Sequence, residues 1–324
     1  MSDLYHIPND DGKTYRLKKF VEYQHEVPAT HYRFVAKYCL DNKLSKDDIV
    51  EASFVTAMTY SEVTTVFILE LLSKYNYEQI WQNFGENLNF GSARKHMKLK
   101  NRFSVCASDW LYLKGDQPYA FVKSLESTDA CKTYKNIQKA IQSIPEIGRF
   151  SSDLFLELLV YLKENLSLNI KQPLSIDWHD GSNLTSGIYN IFYEDEKAEE
   201  YEKTKAVSHE ETLYLTAKLK QIQQAIKSTY PEQDCQITMF LDKVCSFRNL
   251  FKNARYGGFH HDRQLAVIKQ YQNIFPQYDY LWQYCYEVRK AIYPHKLLGE
   301  LNGWDGIRKE RKKLWTTQGL TGVE

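Results

Sequence analysis

The hexapeptide Ile144-Pro145-Glu146-Ile147-Gly148-Arg149 limits what this chain can fold into more than any other stretch. A helical pattern runs up to it from Thr133 to Ser143. A second is expected to start at Ser151 or Ser152, with Asp153 in its first turn and Phe155, Leu158, Leu159 and Leu162 on one face. Two helices joined this tightly form a hairpin. Glycine opens backbone conformations closed to other residues, so Gly148 is expected to make the turn. The amides at the next helix start then point outward, where they can hold a phosphate.

The rest of the sequence is helical in pattern, and the fold class expected is all-α. Phe34, Val35, Tyr38 and Cys39 mark one helix within Thr30 to Leu40, and Ser45 with Asp47 and Asp48 reads as a capped helix start. The helical pattern then runs unbroken from Ile49 to Tyr75. Further helices are expected at Tyr77 to Asn87, Glu211 to Ser228, Asp242 to Asn253 and Asp262 to Ile274, with an acidic surface run at Glu194 to Glu202. With no repeat and no low-complexity linker, one compact body of two helical lobes is expected, divided at 1–130 and 131–324 with a cleft between them.

Charge and cysteine usage exclude several classes. Lys plus Arg number 42 against 41 Asp plus Glu, so bulk charge does not recruit a polyanion, and a nucleic-acid surface must come from local clustering. The densest cluster in the first half is Arg94, Lys95, His96, Lys98, Lys100 and Arg102, which suits either a solvated face or phosphate contact. A second basic segment follows Arg308. The six cysteines are scattered without a CxxC pair, which fits buried reduced thiols and no zinc site. Neither a GxxxxGK[ST] loop nor a GxGxxG is present. No apolar run reaches the roughly 18 residues of a membrane helix, and Met1 to Lys19 lacks the apolar core of a secretion signal, so a cytoplasmic protein without membrane partners is expected.

Ile-Pro-x-Ile-Gly between helices resembles the helix-hairpin-helix of the DNA glycosylase superfamily, in which the hairpin grips the DNA backbone while a base is flipped out. There the second helix leads to a proline-containing turn ending in a catalytic aspartate. Lys171-Gln172-Pro173-Leu174-Ser175-Ile176-Asp177 is similar to that turn, which makes Asp177 the matching acid. Asp177 also suits capping of a helix beginning at Trp178. Two departures argue against plain base excision: the gap from Gly148 to Asp177 is long, and the hairpin carries no lysine to form a Schiff base.

The hairpin, the segment Asp177-Trp178-His179-Asp180-Gly181-Ser182-Asn183-Leu184, and Arg255-Tyr256-Gly257-Gly258 with Asp262-Arg263 together resemble the phage alpha-glutamyl/putrescinyl thymine pyrophosphorylase group, the amino acid:DNA transferases. That resemblance implies a glycosylase-like fold acting in host cytoplasm on DNA with a modified pyrimidine. Its substrate is diphosphorylated 5-hydroxymethyluracil, on which an amino acid or polyamine amine displaces pyrophosphate. Asp177, with His179 second, would take the proton of the amine. Arg255, Arg263, His260 and His261 would neutralise the leaving pyrophosphate, a task Mg2+ can share, and no cofactor is otherwise required. Trp178, Tyr189 or Tyr256 would stack on the flipped base, while Gly148, Arg149, Ser151, Lys95, Lys98 and Arg102 would hold strand phosphates. A glycosylase and a non-catalytic DNA-binding module are the competing readings.

Overall fold

A computed structural model of the chain describes residues 15–26, 31–91, 100–173, 183–204, 206–231, 244, 247–248 and 259–292, with side chains at 15, 19, 23–26, 31, 183 and 259–263 outside the description. Among the described residues there is no strand, and the fold is all-α. No described helix is long and apolar enough to cross a membrane. The chain divides into two compact units, 1–29 with 173–263 and 293–324, and 30–172 with 264–292. Position 130, where the sequence suggests a boundary, lies inside the second unit.

The second unit contains α2 (His31–Asp41), α3 (Lys46–Thr59), α4 (Glu62–Leu72), α5 (Tyr77–Phe84), α6 (Phe103–Lys114), α7 (Pro118–Ser124), α8 (Ala130–Ile141), α9 (Arg149–Tyr161) and α10 (Lys163–Leu166). Helix α9 is its centre. Leu154, Phe155, Leu156, Leu158, Leu159 and Val160 are all buried, so the apolar face is far broader than one stripe, with half-buried Asp153, buried Glu157 and exposed Tyr161 on the remaining arc. It packs on α2, α3 and α8. Phe155 reaches Trp110 of α6, which stacks in turn on Phe54 of α3.

The continuous helix expected from Ile49 to Tyr75 is two helices. Tyr60 ends α3 in the left-handed region at φ 47°, and Ser61 caps α4 by accepting from Thr64 N. Hydrophobicity hides this break because α3 and α4 are buried on nearly every side. The expected cap at Ser45 is present, and the helix expected from Glu211 begins two residues earlier, after Ser208. Ser45 forms a capping box with Asp48, and Ser208 forms one with Glu211.

The first unit packs α1 (Tyr15–Glu26), α11 (Asn183–Ile191), α12 (Asp195–Thr204) and α13 (His209–Thr229) around Phe20, Ile188, Tyr201, Leu219 and Phe247. Buried Arg16 donates to Asn190 O at 2.9 Å and to Asp195 at 2.8 Å, tying α1 to the α11–α12 junction. The acidic run expected on the surface is α12, whose Ala198 and Tyr201 face inward. The last two helices among the described residues are α14 (Phe259–Ile274) and α15 (Asp279–Ile292).

Gly187 of α11 is tightly enclosed: a Cβ there would lie 2.4 Å from Val244 Cγ1 and 2.9 Å from Val244 O. Gly187→Ala is expected to destabilise the protein by about 1–3 kcal/mol, read as a lowered Tm by circular dichroism. Adding Val244→Ala removes the side-chain clash but not the carbonyl one, so rescue should be partial.

Candidate nucleic-acid interface

Asp129 opens the hairpin by accepting hydrogen bonds from Cys131 N and Lys132 N, which caps α8. Thr133, Tyr134, Ile137 and Ile141 then face inward. Beyond the helix, Ile147 N donates to Ile144 O at 3.1 Å and closes a four-residue turn with Pro145 and Glu146 at its centre. Glu146 lies in the left-handed region at φ 69°. Proline second and a left-handed third residue make the pattern of a type II turn. Ile144 and Ile147 are buried and pin the turn, whereas Pro145, Glu146 and Gly148 are exposed.

This corrects the role read for Gly148. Its backbone is extended, with φ −86° and ψ −175°, which any residue adopts, and the left-handed position belongs to Glu146. Gly148 is the N-cap of α9, which begins at Arg149, ahead of the expected Ser151. Asp153 is consequently in the second turn. What glycine gives this position is openness: no side chain caps the helix, its first turn holds no acid, and a Cβ at Gly148 would meet nothing within 4 Å. The positive end of the α9 dipole therefore faces solvent with no anion supplied by its own cap or first turn.

The neighbouring phosphate candidates divide. Ser151 is only 4% exposed, so its hydroxyl is not presented to solvent as expected. Arg149 is partly buried, with Nε 3.9 Å from Asp153 Oδ2. Arg102 is exposed, and its Nε lies 3.7 Å from Glu146 Oε1 on the turn. Lys95 and Lys98 lie outside the described residues, but the chain on both sides of 92–99 is fixed beside the hairpin. On one side Gly91 N donates to Thr59 O at 2.6 Å, and a Cβ on Gly91 would meet Tyr60 O at 2.8 Å. The Tyr60 ring packs on Phe150, in the first turn of α9, with centroids 5.4 Å apart. On the other side Cys106 Sγ lies 3.3 Å from Pro145 O. Lys100 donates to Glu86 O at 3.0 Å and Leu88 O at 2.9 Å, which makes it an anchor for this re-entry.

Asp153 staples the two hairpin helices. It accepts from Tyr134 Oη at 3.1 Å and Gln138 Nε2 at 2.8 Å, both on α8. Gln142 Nε2 adds a bond to Ser152 Oγ at 2.9 Å. One turn beyond Asp153, Glu157 is 5% exposed. Burial pushes its carboxyl well above the usual carboxylate range, and the neighbouring Asp153 carboxylate adds to the rise. The chain leaving toward 174–182 runs along this face, with Lys171 N donating to Ala130 O at 3.1 Å and Gln172 Nε2 3.5 Å from Tyr134 Oη. Sequence reasoning places Asp153 at a helix start and passes over Tyr134, Gln138 and Glu157, whose roles depend on contacts across the hairpin. Pro145 is a local signal for the second position of a turn, but it suits types I and II alike, so the left-handed Glu146 is visible only in the structure.

Asp177, Trp178 and His179 lie outside the described residues, as do Arg255 and Tyr256. His260, His261 and Arg263 fall within α14, which starts earlier than the expected Asp262, and their side chains are outside the description. Tyr189 is not a stacking surface, since it is 2% exposed and its hydroxyl bonds Glu211 Oε1 at 3.2 Å. Cys39, Cys106 and Cys285 are buried free thiols. Among the described residues no group of three His, Cys, Asp or Glu could hold a metal ion. No protein-family model, curated protein or solved structure matches the chain.

Glu157 gives a pH test of this face, where Asp153, Tyr134 and Tyr32 are its electrostatic neighbours. Its folded pKa lies above the ordinary 4.5, so the unfolded chain loses this proton first and stability falls as pH rises above that value. Glu157→Gln has no such proton. The Tm of the variant minus that of the wild type should therefore become more positive between pH 4.5 and 7.5; a difference constant with pH would mean that Glu157 is ionised in the fold.

Proposed function

We propose that this chain modifies DNA, transferring the amine of an amino acid or polyamine to the 5-methylene of a diphosphorylated 5-hydroxymethyluracil and releasing pyrophosphate. One observation carries the DNA-binding part: the exposed, uncapped start of α9 at Gly148, with a basic segment leaving and re-entering the described chain beside it. Backbone amides and the helix dipole suit a strand phosphate, and Arg102 supplies a cation on the same surface. The catalytic part rests on the likeness of the Gln172–Asp177 turn to the glycosylase active-site turn and on the later Arg255-Tyr256-Gly257-Gly258 and Asp262-Arg263 residues.

The reaction balances without an oxidant or reductant. The amine nitrogen attacks the exocyclic methylene, the carbon–oxygen bond to the diphosphate breaks, and pyrophosphate leaves with the electron pair. The amine attacks only when deprotonated, and Asp177 is the proposed acceptor, with His179 second. Negative charge grows on the departing oxygens, and Arg255, Arg263, His260 and His261 are proposed to neutralise it. A base within duplex DNA is out of reach, so the pyrimidine must be flipped, with Trp178 or Tyr256 as the stacking partner.

The test offers DNA carrying the diphosphorylated base together with an amino-acid and polyamine mixture, followed by digestion to nucleosides and mass measurement. A heavier thymidine derivative and free pyrophosphate are expected. Abasic sites would identify a glycosylase instead, and DNA binding without either product a non-catalytic module. Asp177→Asn should abolish product while DNA affinity is retained; full turnover in that variant removes Asp177 as the base. Gly148→Asp places a carboxylate at the N-cap, where it should leave folding intact or improve it, yet weaken DNA binding about tenfold or more. Unchanged affinity with an intact Tm would remove the hairpin as a phosphate site.

A further inference from the structure

Glu146 is an unexpected residue for its position. It is the only non-glycine residue at positive φ in the described hairpin, with φ 69°, and a side chain in that region costs energy that glycine avoids. It also puts a negative charge two residues before the N-cap of a helix whose first turn carries no acid. Its described ionic partner is Arg102, with 3.7 Å from Nε to Oε1, and the pair is open to water, the side chains being 54% and 39% exposed. An exposed pair at this separation is weak and easily exchanged. Cys106 Sγ against Pro145 O at 3.3 Å holds α6 to the turn, so the two charges face each other across a fixed junction.

We propose that Glu146 is a built-in competitor for the DNA backbone: its carboxylate engages Arg102 in the free protein and yields it to a strand phosphate on binding. This rests on the hairpin being the DNA-gripping surface. A phosphate offers Arg102 a stronger, charge-assisted partner than an exposed carboxylate does, and it can accept from the helix-start amides at the same time. Glu146 meanwhile repels any polyanion that approaches without displacing it. The pair thus lowers non-specific retention on DNA while keeping the guanidinium at the hairpin.

The experiment is a double-mutant cycle read by fluorescence anisotropy on a labelled, unmodified DNA duplex at low and moderate salt, using the full chain. The variants are Glu146→Gln, Arg102→Gln and the pair together. Glu146→Gln keeps the side-chain shape and should tighten binding about threefold or more at low salt. Arg102→Gln should weaken binding, and by a larger factor in the Glu146→Gln background, because there the guanidinium is wholly available to phosphate. Equal factors in both backgrounds, or a Glu146→Gln affinity equal to wild type, would overturn the inference while measurable wild-type binding leaves the hairpin reading standing. No binding by the wild type would overturn both. Glu146→Gly separates strain from charge: it should raise the Tm as well as the affinity, whereas Glu146→Gln should raise the affinity with little change in Tm.

Discussion

Burial of α9 over most of its surface is the constraint from which the second unit follows. A helix whose buried apolar residues spread well beyond one stripe can be satisfied only by neighbours on several faces, and α2, α3 and α8 provide them. Its middle and end are consequently immobilised by packing, while its start at Gly148 emerges at the surface. The same packing sets the hairpin geometry, since α8 is stapled to α9 through Tyr134, Gln138 and Asp153 and the turn is pinned by buried Ile144 and Ile147. A ligand at the helix start would meet a surface whose supports are already in place, which limits the ordering cost of binding.

A second support reaches the same spot from α3 and α4. The left-handed break at Tyr60 lets one residue serve three neighbours: it ends α3, crowds Gly91 and packs on Phe150. Behind it lies a buried run of hydroxyls. Thr59 bonds Thr65 at 2.9 Å, Ser61 bonds Thr64 at 3.0 Å, and Thr64 bonds Tyr271 at 2.8 Å. These partners satisfy polar groups that would be costly to bury alone, and they fix the stretch leading into the basic segment.

Much of the fold could be read from the sequence because helix starts carry side-chain signals. Ser45 is legible as a cap and does cap a helix; Asn76 and Ser208 carry the same box signal, though the sequence reading takes the helices after them only from periodicity, at Tyr77 and Glu211. The break at Tyr60 escaped because periodicity reports which faces are buried, and neither α3 nor α4 has an exposed face wide enough to show a change of phase. At the hairpin, the existence and position of the turn were legible, but its backbone was not assigned correctly. Residue type points to glycine for the unusual conformation, whereas the turn places Glu146 there, and Pro145 alone does not distinguish the turn types that would decide it. The Asp153 staple was hidden for another reason: its partners come from the preceding helix, and no local pattern reports a contact across a turn.

The hairpin tip has a consequence for how this protein would respond to selection. Gly148 is a helix cap without a capping group, and Glu146 carries a Cβ in a backbone region suited to glycine or asparagine. Local physics favours replacement at both, and both are exposed, so neither is held in place by packing. Variants chosen for heat tolerance alone would be expected to drift first at this tip, and the ground they gained there would come at the end of α9 that is open to a ligand.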